Sequence, residues 1–164
     1  MTFDTLQPEM PDPSRIVVGV DGSEPSLAAL QFAAAEATVR GARLRVVSVW
    51  RLDGSESGEV TLRDQVADSR RAADDAIARA RHELDKDWPA VEADAEAIEG
   101  GLPADMLLDE SEQSALLVVG NRGHGGLGTL LLGSVSEHIV RNARCPVVVI
   151  PHGWAEPDAT SHQT

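Results

Sequence analysis

The stretch Gly120-Asn121-Arg122-Gly123-His124-Gly125-Gly126-Leu127-Gly128 concentrates the chain's chemical potential. Five glycines in nine residues permit positive φ and bring bare backbone N–H groups close to an occupant, which an anion suits best. Ten residues after Gly123 comes Gly133-Ser134, and Ser134 and Glu137 have the spacing of a capping box. A helix starting there offers unpaired N–H groups and a positive dipole end, a place for phosphate. A plain loop followed by an ordinary helix cap would account for the same residues, and that reading stays open.

Other phosphate motifs fit less well. A P-loop needs Gly-Lys-[Ser/Thr], and the one lysine, Lys86, lies far from the glycines. Arg122 is the cation within the loop and a candidate phosphate contact. His124 has no carboxylate or cysteine at metal-ligand spacing and reads as a loop residue. A dinucleotide fingerprint belongs after the first strand, where this chain has Asp21-Gly22-Ser23. Asp21 either makes that turn or contacts a base, a ribose or a nucleotide-bound metal ion.

These residues need a frame. Ile16 to Val20 predicts a strand ended by Asp21-Gly22-Ser23, and Pro25 opens an Ala-rich helix closed by Gly41. Leu44 to Val49 predicts a second strand, and apolar residues from Leu62 to Leu84 at spacings of three and four predict a long amphipathic helix. Val91 to Ala97 alternates apolar and acidic residues, as a half-exposed edge strand does. Pro103 starts a helix to about Gln113, Ala115 to Val119 reads as a buried strand, Val135 to Asn142 as a helix, and Pro146 to Ile150 as a last strand. Five strands alternating with four helices predict an α/β fold with one open parallel sheet and helices on both faces.

The 164 residues suit one domain, read as residues 15–151 between a flexible arm (1–14) and a flexible tail (152–164). With 27 acidic against 14 basic residues the formal charge is -13, which repels nucleic acid and anionic membrane, so neither is an expected partner. Met1 to Ser14 lacks the pattern of a signal peptide and no run is long enough to span a membrane, so the expected location is cytoplasmic. The single cysteine, Cys145, reads as a buried structural thiol.

Gly120-x2-Gly123-x9-Gly133-Ser134 resembles the ATP-binding signature of the universal stress proteins, and the likeness runs from Arg15 to Pro151. That resemblance implies the adenine nucleotide alpha-hydrolase-like arrangement, with strand order 3-2-1-4-5 and a crevice between the first and fourth strands. It implies ATP with Mg²⁺ as ligand, with Gly19, Asp21 and Val49 near adenine and ribose. Gly19 stands where some ATP-binding members carry proline. Val119 and Gly120 would continue that pocket, Gly123 would approach ribose and phosphates, and Gly133, Ser134 and Val135 would hold the phosphates. The expected role is nucleotide-dependent regulation in a stress response, with cyclic AMP binding or slow ATP hydrolysis as alternatives. In the implied order Val147, Val148, Val149 and Ile150 form an apolar sheet edge, which predicts a homodimer through that strand.

Overall fold

Right-handed crossovers dictate which face each helix covers. The computed structural model describes residues 12–51, 62–122 and 132–155, and its sheet runs in the order β3-β2-β1-β4-β5, all pairings parallel. The strands are β1 (Asp12–Gly19), β2 (Arg43–Arg51), β3 (Ala93–Gly100), β4 (Ser114–Gly120) and β5 (Val147–Ile150). The helices are α1 (Glu24–Arg40), α2 (Leu62–Asp87), α3 (Pro103–Ser111) and α4 (Ser134–Asn142). From β1 the chain steps outward to β2 and β3, so α1 and α2 share one face; it then returns to β4 and β5, so α3 and α4 share the other.

Each layer has its own core. Ile16, Val18, Val46 and Leu116 meet Leu30 of α1 and Ile77 and Leu84 of α2. Val17, Val47, Leu117 and Val119 meet Leu107 of α3 and Ile139 of α4. The central strands are apolar on both faces because both are covered. In α1, Ala29, Ala33, Ala34 and Ala37 are all buried, and their small side chains let the helix axis approach the sheet. Ser23 caps its start by accepting from the Ser26 N–H, and Gly41 ends it at φ 62° with its N–H turned back on the last turn.

Several boundaries differ from the sequence reading. β1 begins at Asp12, ahead of the apolar run, because the Asp12 N–H bonds the Gln113 carbonyl at 2.6 Å. Past β5, Trp154 packs edge-on against Phe32 of α1 at 5.8 Å, so the third residue of the segment read as a tail is anchored on the core. The alternation at β3 puts Asp94 and Glu96 on Arg45 of β2, each at 2.8 Å, and Glu110 of α3 adds a third contact at 3.0 Å. Burial of Arg45 works against its charge, but Glu110, Glu96 and Asp94 outweigh that and raise its pKa further above the ordinary arginine value. Cys145 is free and buried, and burial raises its thiol pKa, partly offset by a hydrogen bond with Ser111.

Candidate functional site

The strand order reverses between β1 and β4, which pair from Ile16–Leu116 to Val18–Val118. Both therefore end at the same height, and the chain leaves them in opposite directions, opening a crevice at their carboxyl ends. A cavity of about 340 Å³ lies there, within the ~300–1,000 Å³ usual for small-molecule sites. Its wall includes Gly19, Asp21, Val49, Val119, Gly120, Arg122, Gly133, Ser134 and Val135, so nine of the ten residues singled out from sequence come together. The tenth, Gly123, lies outside the described residues, as does His124.

Asp21 takes up the turn role: its Oδ1 accepts the Ser23 N–H at 2.9 Å. Its own N–H donates to Ser26 Oγ at 3.2 Å, and Ser26 Oγ–H donates to the Ser23 carbonyl at 2.9 Å. The β1–α1 turn is thus held from within, with Asp21 on the cavity wall as the carboxylate among its described lining residues. For a divalent ion, one carboxylate is a partial ligand set that phosphate oxygens and water would complete.

The glycines serve close approach. Among described residues positive φ occurs at Gly22, Gly41 and Gly153, and not at Gly120 or Gly133. A Cβ on Gly120 would fall 2.8 Å from the carbonyl carbon of Pro25, so this glycine lets the start of α1 press on β4. A Cβ on Gly133 would fall 3.3 Å from the Asn121 carbonyl oxygen. That approach closes the base of the glycine-rich loop: the Gly133 N–H donates to the Asn121 carbonyl at 2.7 Å, and the Asn121 N–H to the Ile150 carbonyl at 2.8 Å.

The capping box is not formed. Gly133 is the N-cap of α4, Ser134 is its first residue with no side-chain cap bond, and Glu137 pairs instead with Arg141. Loop closure fixes Gly133 in the extended N-cap conformation and moves Ser134 one position into the helix. The structural hydroxyl is Ser136, buried, with Oγ 2.9 Å from the Asn121 carbonyl and 3.0 Å from that of Gly133. Ser136→Ala should therefore cost about 0.5–1.5 kcal/mol, while Ser134→Ala should stay within about 0.5 kcal/mol, as urea unfolding of the two variants would show.

Sequence reasoning missed Val20, Ser26, Val47, Pro103, Leu107 and Ser136, which also line the cavity. Val47 was within reach, since Val49 lies two residues on and shares its face. Pro103 and Leu107 arrive from across the sheet and look like any apolar residues of an amphipathic helix. The cavity thus has two ends of different character. Val47 and Val49 enter from β2 and, with Pro103, Leu107 and Val119, supply its apolar wall, whereas Arg122 and the first turn of α4 follow β4 and make that end suited to an anion.

Comparison with known proteins agrees with this architecture. A universal stress protein of Mycobacterium tuberculosis is 36% identical over 151 residues, covering 83% of this chain and 47% of its own length. The chain thus spans about half the length of the curated relatives it matches first. A universal stress protein solved in complex with cAMP is 26% identical, with TM-score 0.55 over 84% of this chain and 96% of that one. The universal stress protein from Archaeoglobus fulgidus in complex with dAMP is also 26% identical, with TM-score 0.57 over 86% and 97%. The model of the universal stress protein family matches residues 13–151, and with the sheet order and these relatives it establishes that the chain belongs to that family.

Proposed function

We propose that the cavity binds an adenine nucleotide, ATP with Mg²⁺, and that occupancy regulates the protein's conformation or partner affinity in the cytoplasm. The observation that carries this is the two-ended cavity: an apolar slot fits the base, and Arg122 with the N-terminus of α4 fits the phosphates. Gly19, Asp21, Val49, Val119 and Gly120 then face base and ribose, Gly123 and Gly133 to Val135 the phosphates, and Asp21 the Mg²⁺ carried by the nucleotide. The cAMP and dAMP bound by two relatives support an adenine nucleotide. A cyclic nucleotide is the second reading, because one phosphate would satisfy the same anion end. Calorimetric titration with ATP, AMP and cAMP, after stripping co-purified nucleotide, tests it. Tightest binding of ATP, strengthened by Mg²⁺, is expected; preference for cAMP would install the second reading, and no binding would remove the site.

Turnover should be slow, below the ~1 per second at which ordinary enzymes begin. Among the described lining residues Arg122 is the single cation and no histidine or lysine is present to act on the γ-phosphate or on water. A phosphate-release assay giving faster hydrolysis would make this an enzyme.

Homodimerisation through β5 also belongs to this proposal, for a reason different from its composition. Val148 packs into the α1/α2 layer and Val147 and Val149 into the α3/α4 layer, so these side chains already have an apolar environment. What β5 offers is backbone. The Pro146 and Ile150 carbonyls turn towards β4, so the polar groups of Val147 and Val149 face outward. On the opposite edge Arg81 donates to the outward Ala95 carbonyl. Light scattering should give twice the 17.4 kDa chain mass, and Val149→Pro, which deletes an outward N–H and spares the β4 ladder, should give the single mass. A wild-type chain that stays monomeric at high micromolar concentration would defeat it.

A further inference from the structure

Gly19 has no side chain, and the space a side chain would use is taken from across the sheet. A Cβ built there would lie 2.7 Å from Leu107 Cδ1, closer than real carbon contacts allow, and 3.1 Å from Cδ2, a tight contact. Leu107 is therefore seated directly on the β1 backbone. It is also buried, packs with Val17, Val47 and Val119, and lines the cavity together with Gly19. Gly19 pairs with Val47 of β2, so this seat lies in the apolar part of the cavity wall, beside Val47 and Val119. α3 thus reaches down onto the sheet and stops the slot with one branched side chain.

We propose that the Gly19–Leu107 contact sets the depth of the base slot and makes Leu107 a specificity-determining residue for purines carrying added groups. This rests on the adenine-nucleotide reading above. With Leu107 in place the slot ends at its methyl groups and a substituent on the base meets them. Truncation to alanine removes the stop and leaves an apolar hollow that such a substituent fills. In an apolar pocket each methylene-sized group is worth about 10- to 200-fold in selection, so the effect lies within measurable range. The pair also acts in reverse, because a methyl on Gly19 drives the Leu107 tip into the slot.

The probes are AMP, 2-methylthio-AMP and N6-benzyl-AMP, titrated against wild type, Leu107→Ala, Gly19→Ala and the double variant, each checked for folding by circular dichroism. We expect wild type to favour AMP over both analogues. In Leu107→Ala the ratio of at least one analogue to AMP should rise about tenfold or more. Gly19→Ala should weaken AMP, and adding Leu107→Ala should restore it. Unchanged analogue ratios in a Leu107→Ala protein that still binds AMP would overturn the proposal while sparing the nucleotide site. Should Leu107→Ala not fold, Gly19→Ala decides alone: unaltered AMP affinity overturns it. Wild type that binds none of the three would bring down the nucleotide reading itself.

Discussion

Alanine at both Gly123 and Gly133 should lower adenine-nucleotide affinity about 10- to 100-fold while the chain remains folded. The effect at Gly133 comes from packing, since its φ of -66° suits any residue. Its Cβ would press on the Asn121 carbonyl oxygen at 3.3 Å and on Arg122 Cα at 3.4 Å. To relieve that contact the start of α4 must move away from the end of β4. The move stretches the 2.7 Å bond between the Gly133 N–H and the Asn121 carbonyl and tilts the first N–H groups of α4 away from a phosphate. Hydrogen bonds to charged groups are worth about 1.5–3 kcal/mol, and each 1.4 kcal/mol is a factor of ten in affinity. Calorimetry on the double variant measures the loss, and thermal unfolding separates it from misfolding. Wild-type affinity in a folded double variant would take the glycines out of the site.

Ile139→Ala should cost about 2–5 kcal/mol, the range for deleting a large buried aliphatic side chain. Ile139 is the fully buried apolar residue of α4, and with the half-buried Val135 it packs this short helix against the sheet. Loosening α4 also loosens the anion end of the cavity. Stability and nucleotide affinity should therefore fall together in this variant, unlike one made in the α1/α2 layer. Leu30→Ala, equally buried but on the far face, should lose stability and keep affinity. Urea unfolding with and without saturating AMP tests both halves; equal ligand stabilisation of the two variants would contradict the assigned role of α4.

Strand and helix identities were legible in the sequence because both sheet faces are covered. Runs such as Ile16 to Val20 and Ala115 to Val119 have few other solutions, and α1 carries its own punctuation in Ser23, Pro25 and Gly41. Strand order was not legible from periodicity; it came from the resemblance, and the structure agrees. In the site, residues at strand ends could be found because the turn after β1 and the glycines after β4 mark them. The α3 contribution could not, since nothing in Pro103 or Leu107 announces that the chain crosses back over β1. The reading of Ser134 as the helix cap failed by a single step of register. Its pattern fits a capping box, but the closure between Asn121 and Gly133, a contact between residues twelve apart, decides where the helix starts.

The two margins of the sheet are not equivalent. At β3, Arg81 occupies the Ala95 carbonyl, and Glu92, Asp94, Glu96 and Glu99 stand exposed along the strand, so a second copy approaching there meets its own sign of charge. At β5 neither the blocking arginine nor the row of carboxylates is present among the described residues. Endless head-to-tail stacking of sheets requires two receptive margins on every molecule, one to join and one to be joined. With β3 closed to it, strand addition would have only the β5 margin to use and would end at a closed pair, so growth of filaments through the sheet is not expected.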